Sequence, residues 1–366
     1  MKVQIEVTTK CNLSCEYCFR TGENELSLEI VEKLRGFDEY VVYGYGEPFM
    51  HKNIKKILEN LDGRIILSTN GMFDVSNIAD FADVVAVSLD VDSSLRKGFI
   101  YDLAIKNLKK LEGKGLAQIV LTRENIFRIK DFLSEVARFG DVMLTNVVAK
   151  DERIYEKALY FEISRKVYEI CKNLEEDFLL KVLSDFEYRR KFSMMLEDIY
   201  GCGYSLNLHR IVDEKRRGAV AEKAERFIEE LEEVVKIYGS ELIKPEFFGD
   251  SNTRECPYRS SIFIRADGSV APCMSFAYDH EEFVNSHQKT VKSYLVGNLY
   301  HEDFDEIYSR LRDFENFRSS IKSFPWCSDC PYVVGCWYAT RNIDCYNNFP
   351  SCSECLYSAR IARCFL

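Results

Sequence analysis

Three cysteines, Cys11, Cys15 and Cys18, stand in the segment CNLSCEYC directly after an alternating, strand-like run, KVQIEVTTK. Soft thiolate ligands on one short loop point to zinc or to iron–sulfur chemistry. Three sulfurs do not complete a four-coordinate site. A [4Fe–4S] cluster takes one thiolate per iron, so three would leave one iron open to an outside ligand. Zinc and ferredoxin-type sites are the competing readings of the same spacing.

The other thiols form a second dense group. Of 14 cysteines in 366 residues, nine crowd the C-terminal part: Cys256, Cys273, Cys327, Cys330, Cys336, Cys345, Cys352, Cys355 and Cys364. Only Cys171 and Cys202 fall between the groups; Cys171, at an apolar helical position, reads as core, and Cys202, between two glycines, as a loop residue and candidate extra ligand. The start of the chain lacks the apolar stretch of a signal peptide, which predicts a cytoplasmic protein. Thiols stay reduced there, so two such groups read as metal ligands and not as a disulfide framework. A net charge of −10 offers no basic surface to nucleic acid or an anionic membrane. No apolar run nears the roughly 18 residues that span a bilayer.

Residues 1–150 must position the first group. Six short β-rich runs (VQIEVTT, YVVYGYG, RIILSTN, VVAVSLD, AQIVLT and DVMLTNVVA) alternate with amphipathic stretches such as SLEIVEKLRGF, NIKKILENL, IADFAD and YDLAIKNLKKLEG. That alternation predicts an α/β fold with parallel strands and right-handed crossovers. In a parallel barrel, chemistry gathers at the C-terminal strand ends. Each strand here ends in a polar tag, any one of which ordinary turn chemistry would also explain. Residues 151–249 are long, charged and helix-periodic, a helical connector or cover. Residues 250–366 carry a hairpin signal, SIFIRADGSVAPC, and then too little periodicity for a conventional core, so bound metal clusters would take its place.

The loop Cys-x3-Cys-x2-Cys after the first strand, with Tyr17 before the third cysteine, resembles the signature of the radical S-adenosylmethionine (SAM) superfamily. GYGEP at 44–48 is similar to that family's Gly-Gly-Glu-Pro, with Tyr45 in place of a glycine; STNG at 68–71 and SLD at 88–90 match its next strand ends. The resemblance implies a partial (β/α)6 TIM-like barrel in which SAM chelates the open iron of a [4Fe–4S] cluster held by Cys11, Cys15 and Cys18. It further implies SAM contacts from Tyr17, Gly46, Glu47, Pro48, Thr69, Asn70, Ser88 and Asp90. Arg123 and Asn125 are weaker candidates, a surface ion pair serving Arg123 as well, and His51 reads as a helix start.

Residues 256–364 resemble the SPASM extension of some members, which holds auxiliary iron–sulfur clusters. Cys256, then Gly268-x4-Cys273, and Cys327-x2-Cys330-x5-Cys336 match its pattern, while Thr340 stands where a further cysteine is expected. Family order implies Cys327, Cys330, Cys336 and Cys364 for an outer cluster, and Cys256, Cys273, Cys345 and Cys352 for an inner one. One or two auxiliary clusters, with or without a mononuclear zinc or iron site, satisfy the count. Met274 replaces the carboxylate that sulfatase-maturing members carry after Cys273. The activity implied is reductive SAM cleavage, hydrogen abstraction and oxidative modification of a peptide or protein side chain, or of a cofactor derived from one. A small molecule or tetrapyrrole side chain is the alternative substrate, and a non-catalytic electron-transfer scaffold the alternative class. An electron donor such as ferredoxin or flavodoxin is implied as partner. The barrel begins at residue 3, which leaves recognition of any peptide to other parts of the chain.

Overall fold

Strands Lys2–Ile5, Glu39–Val42, Arg64–Thr69, Val84–Leu89, Gly115–Leu121 and Gly140–Asn146 lie side by side in chain order, each parallel to the next. They belong to a computed structural model that describes residues 1–91, 95–111, 113–160, 165–200, 211–249, 253–324, 326–330 and 332–365. The strands are buried almost throughout, as expected of a parallel sheet covered by helices. Helices Leu28–Glu32, Ile54–Asn60, Tyr101–Lys109 and Ile129–Val136 supply that cover. Their apolar stripes, among them Ile30, Ile57, Leu108 and Leu133, join Val3, Leu67 and Val87 in one core. IADFAD departs from the expected helix: Ala79–Phe81 is a single 3₁₀ turn. The next strand begins at Val84, leaving no length for an α-helical crossover.

The segment read as a helical cover does more than cover. Its long helix, Ile211–Lys236, buries Ala221, Ala224, Ile228, Leu231 and Val235 in the barrel core. The chain then returns as Leu242–Ile243, parallel to Gly140–Asn146, with Val142 opposite Leu242. Helix and strand together extend the barrel by one more unit. Cys171 packs with Leu179, Val182, Phe192 and Leu196, as expected for a core thiol. Cys202 lies outside the described residues. Among those residues, no helix is long and apolar enough to cross a membrane.

At the other edge, the predicted hairpin forms from Ser261–Ile264 and Ser269–Ala271. Gly268 turns it at φ +77°, a conformation that costs glycine nothing. Ser261–Ile264 also pairs in parallel with the first strand, Val3 opposite Ile262. One sheet therefore runs across the division drawn at 249/250 from sequence. Buried Glu6 fastens the join, accepting from Tyr45 N at 2.8 Å and from the Tyr278 hydroxyl. After helix Phe304–Ser319 the described residues form only 3₁₀ turns and loops. Five of the cysteines of this region, Cys256, Cys273, Cys352, Cys355 and Cys364, pack with Tyr258, Phe276 and Phe314.

Candidate functional site

A cleft of about 390 Å³ opens where the parallel strands end. Cys11, Cys15, Cys18 and Tyr17 line it beside Gly46, Glu47, Thr69, Asn70 and Ser88. The C-terminal region adds Met274, Ser275, Glu282, Tyr357 and Arg363. The cysteine loop is pinned by its own backbone: Ser14–Cys15 pairs antiparallel with Arg96–Lys97, and Cys18 N donates to Cys15 O at 3.2 Å. Leu13 N donates to Cys11 Sγ at 3.4 Å, and the Asn70 amide reaches the same sulfur at 3.8 Å. Such donors suit a thiolate.

Burial pushes the Cys18 thiol up to about 11 and raises that of Cys15. Deprotonating them needs positive charge nearby, which a metal supplies. Among the described residues no three His, Cys, Asp or Glu side chains gather closely enough to share one ion. Three thiols on one loop are the donor set for three irons of a [4Fe–4S] cluster, with one iron left over.

Glu47 sits on the cleft wall, 2% exposed. Its carboxylate accepts from Thr69 Oγ1 at 2.8 Å, Asn70 N at 2.6 Å and Phe49 N at 3.2 Å. Burial nonetheless pushes it up to about 7. Gly46 has a reason of its own, apart from any close approach to a cofactor. A Cβ there would lie 2.0 Å from Thr8 O and 2.9 Å from Lys10 O. Gly46→Ala must therefore push the cysteine loop off this strand end, with an expected cost of roughly 1–3 kcal/mol. Chemical denaturation of the purified variant measures it.

Three of the expected cofactor contacts do not reach the cleft. Pro48 starts the 3₁₀ turn Pro48–Met50, for which Glu47 is the cap. Asp90 pairs with buried Arg96 at 3.6 Å, behind the wall. Arg123 reaches back, Nε donating to Ala158 O at 2.8 Å. Asn125 bonds Thr122 N and Val120 O and closes its own turn, while His51 bonds Leu26 O. In their place the cleft has Arg96 and Gln118. Arg96 is 4% exposed, donates to Ser88 O at 3.1 Å and stacks over Phe99. Gln118 Oε1 takes the Ser88 hydroxyl at 3.4 Å.

The C-terminal thiols assort differently from family order. Cys256, Cys273, Cys352 and Cys355 line one small void of about 40 Å³. Burial pushes Cys256 up to about 12 and Cys273 to about 11, and raises Cys352 and Cys355. Buried Arg318 works against that shift at the first three. Cys345, expected in this set, is exposed and lies toward Cys336. Cys327 lies toward Cys330. Cys364, expected in the outer set, packs instead against the inner cluster of side chains. The fold explains the exchange. Asp344 accepts from Ser351 Oγ at 3.0 Å and Ser353 Oγ at 2.7 Å, and Arg254 donates to Cys352 O at 2.9 Å. These bonds turn 351–355 back toward Cys256.

Glu282, which the sequence reading did not single out, lines both the cleft and the thiol void. His280 Nε2 stands 2.9 Å from its carboxylate, and His280 Nδ1 2.9 Å from Tyr278 O. Burial opposes charge on both groups, yet their mutual attraction wins: His280 is raised and Glu282 lowered. They form an ion pair with both imidazole nitrogens donating. Glu282 is thus an ionised carboxylate at the cleft, where Met274 supplies none.

The iron–sulfur cluster-binding domain family SPASM matches residues 256–331. The tungsten-containing aldehyde ferredoxin oxidoreductase cofactor-modifying protein of Pyrococcus furiosus is 25% identical, over 98% of this chain and 96% of its own. Among solved structures, SuiB of Streptococcus suis bound to S-adenosylmethionine superposes with a TM-score of 0.52 at 15% identity, covering 91% of this chain and 71% of SuiB. Native anSMEcpe with bound AdoMet and Cp18Cys peptide gives 0.50 at 17% identity, over 90% of this chain and 86% of that one. These two structures share the fold.

Proposed function

We propose that the chain is a radical SAM enzyme with a C-terminal SPASM domain and that it oxidatively modifies a peptide or protein side chain, or a cofactor derived from one. One observation carries the reading: a single cleft is walled by Cys11, Cys15 and Cys18 on one side and by Ser275, Glu282 and Tyr357, which adjoin the inner thiol void, on the other. Bound by these thiols, a reduced [4Fe–4S] cluster would supply the electron for reductive SAM cleavage, and auxiliary clusters would supply an outlet for a substrate electron.

The three N-terminal cysteines would hold the first cluster. Glu47 would receive the SAM amino group, Ser88 and Gln118 would offer polar atoms to its ribose, and Arg96 offsets the negative charge of a thiolate at Cys15. Tyr43, Tyr45 and Tyr357 line the cleft with aromatic rings. Cys256, Cys273, Cys352 and Cys355 would hold an inner auxiliary cluster, and Cys327, Cys330, Cys336 and Cys345 an outer one. Glu282 is the proton acceptor for a substrate that loses a proton with its electron, and His280 holds that carboxylate ionised. Glu282→Gln is expected to lower product formation about 100-fold while leaving SAM cleavage in place. Parallel counts of 5′-deoxyadenosine and product check it.

Glu47 gives SAM binding a pH dependence. With its carboxyl near 7, the free protein holds it protonated below that pH, and ionising it to receive the amino group costs affinity. SAM should bind about tenfold more weakly per unit of pH well below 7, level off above it, and lose most of this dependence in Glu47→Gln. Anaerobic calorimetry between pH 5.5 and 8 measures it.

A second substrate reading is favoured by the Pyrococcus furiosus relative, which matches this chain end to end and whose name gives cofactor modification. On that reading the cleft takes an organic cofactor in place of a peptide. The deciding experiment for both is deuterium transfer into 5′-deoxyadenosine from a labelled peptide or cofactor candidate. No transfer from either, with SAM still cleaved, would reject both substrate classes.

A further inference from the structure

The inner thiol void has a wall that the ligand assignment leaves unexplained. Tyr258 lines it with Cys256, Cys273, Cys352 and Cys355. The residue is 3% exposed, and its hydroxyl has no hydrogen-bond partner among the described residues. A buried O–H without an acceptor is rare in folded proteins and asks for an explanation. The ring has no freedom to seek one elsewhere. Arg318 Nη1 and Ser261 Oγ both bind Tyr258 O, each at 2.7 Å. Tyr357 packs edge-on against the ring with centroids 5.9 Å apart. The backbone N–H of Tyr258 meanwhile faces the Cys256 sulfur. Main chain and ring thus both lie among the thiols, the backbone N–H on Cys256 and the hydroxyl near Cys364, Cys273 and Cys355, and of the two donors the hydroxyl lacks an acceptor.

We propose that the Tyr258 hydroxyl donates a hydrogen bond to a sulfur of the cluster held by Cys256, Cys273, Cys352 and Cys355, and so sets that cluster's reduction potential. The proposal rests on the ligand reading above. Hydrogen bonds to cluster sulfur stabilise the more negative, reduced state and raise the potential. Arg318 acts in the same direction: its guanidinium is 2% exposed and lies near Cys256, Cys273 and Cys352. The inner cluster, next to the cleft, is thereby made a better electron acceptor than its thiolates alone would make it. Tyr258 is a positioning and tuning residue that touches no substrate.

The test is an EPR-monitored redox titration of full-length, anaerobically reconstituted protein. The inner signal is the one that Cys352→Ala removes and Cys327→Ala spares. Tyr258→Phe keeps the ring and removes the O–H; it is expected to shift the inner potential to more negative values and leave the outer one unchanged. No shift, or an equal shift of both signals, would overturn the proposal. Should the variant fail to load its inner cluster, the unaltered chain carrying 3-fluorotyrosine decides. Its more acidic hydroxyl donates more strongly, so the inner potential should move positive, and an unmoved potential would overturn the proposal. If the unaltered protein shows no auxiliary signal at all, the ligand reading falls and this proposal with it. Auxiliary signals whose potentials ignore Tyr258→Phe sink this proposal alone.

Discussion

Cys15→Ala is expected to abolish SAM cleavage, with 5′-deoxyadenosine falling at least a thousandfold to the background of the assay, while iron and sulfide at the C-terminal thiols persist. Cys15 is the middle of three sulfurs and sits in the Ser14–Cys15/Arg96–Lys97 pair, so its loss removes one cluster corner without unseating the loop. The remaining two thiols cannot hold a cubane against exchange. The measurement pairs product analysis with iron counting on the same preparation. Normal cleavage by Cys15→Ala would place the reactive cluster elsewhere.

Cys352→Ala is expected to do the opposite. Its side chain is buried, and it lines a small void with three other thiols, away from the cysteine loop. Removing it should leave SAM cleavage running uncoupled and cut modified product by 100-fold or more, because an electron left on the substrate has no outlet. A loss of outer ligands such as Cys330 should give a similar pattern. The check is the ratio of product to 5′-deoxyadenosine, which should collapse in the variant and stay fixed in the parent. Equal product from Cys352→Ala and the parent would remove the inner cluster from the reaction.

The two variants probe what was local in the sequence and what was not. The cysteine loop, the strand-end residues Glu47, Asn70 and Ser88, and the Asp267–Gly268 hairpin were legible because each depends on a few adjacent residues and one strand period. Arg96 was not. Only the two-residue pairing with Ser14–Cys15 brings it to the cleft, and nothing in VDSSLRKGF announces that pairing. Glu282 arrives on a hairpin, His280–Val284 with His287–Val291, whose alternation says nothing of where it docks. Arg363 enters because Arg363 N bonds Thr145 Oγ1 and Asn146 binds Ile361 O, threading the C-terminal tail against a barrel strand. Asp90 and Arg123 stand outside the cleft lining for a related reason. A strand-end position places a side chain near the cleft, and a nearby ion-pair partner or carbonyl then decides which way it turns. The thiol grouping in space departs from family order because Asp344 and Arg254 fold 351–355 back on Cys256, a contact between residues far apart in the chain.

The most direct measurement of the central claim is the EPR spectrum of the dithionite-reduced, reconstituted protein before and after SAM is added. An iron left open by Cys11, Cys15 and Cys18 predicts a [4Fe–4S] signal that SAM alters and that Cys15→Ala lacks, beside auxiliary signals that SAM leaves unchanged. A spectrum indifferent to SAM, or zinc in place of iron at those three sulfurs, would contradict it.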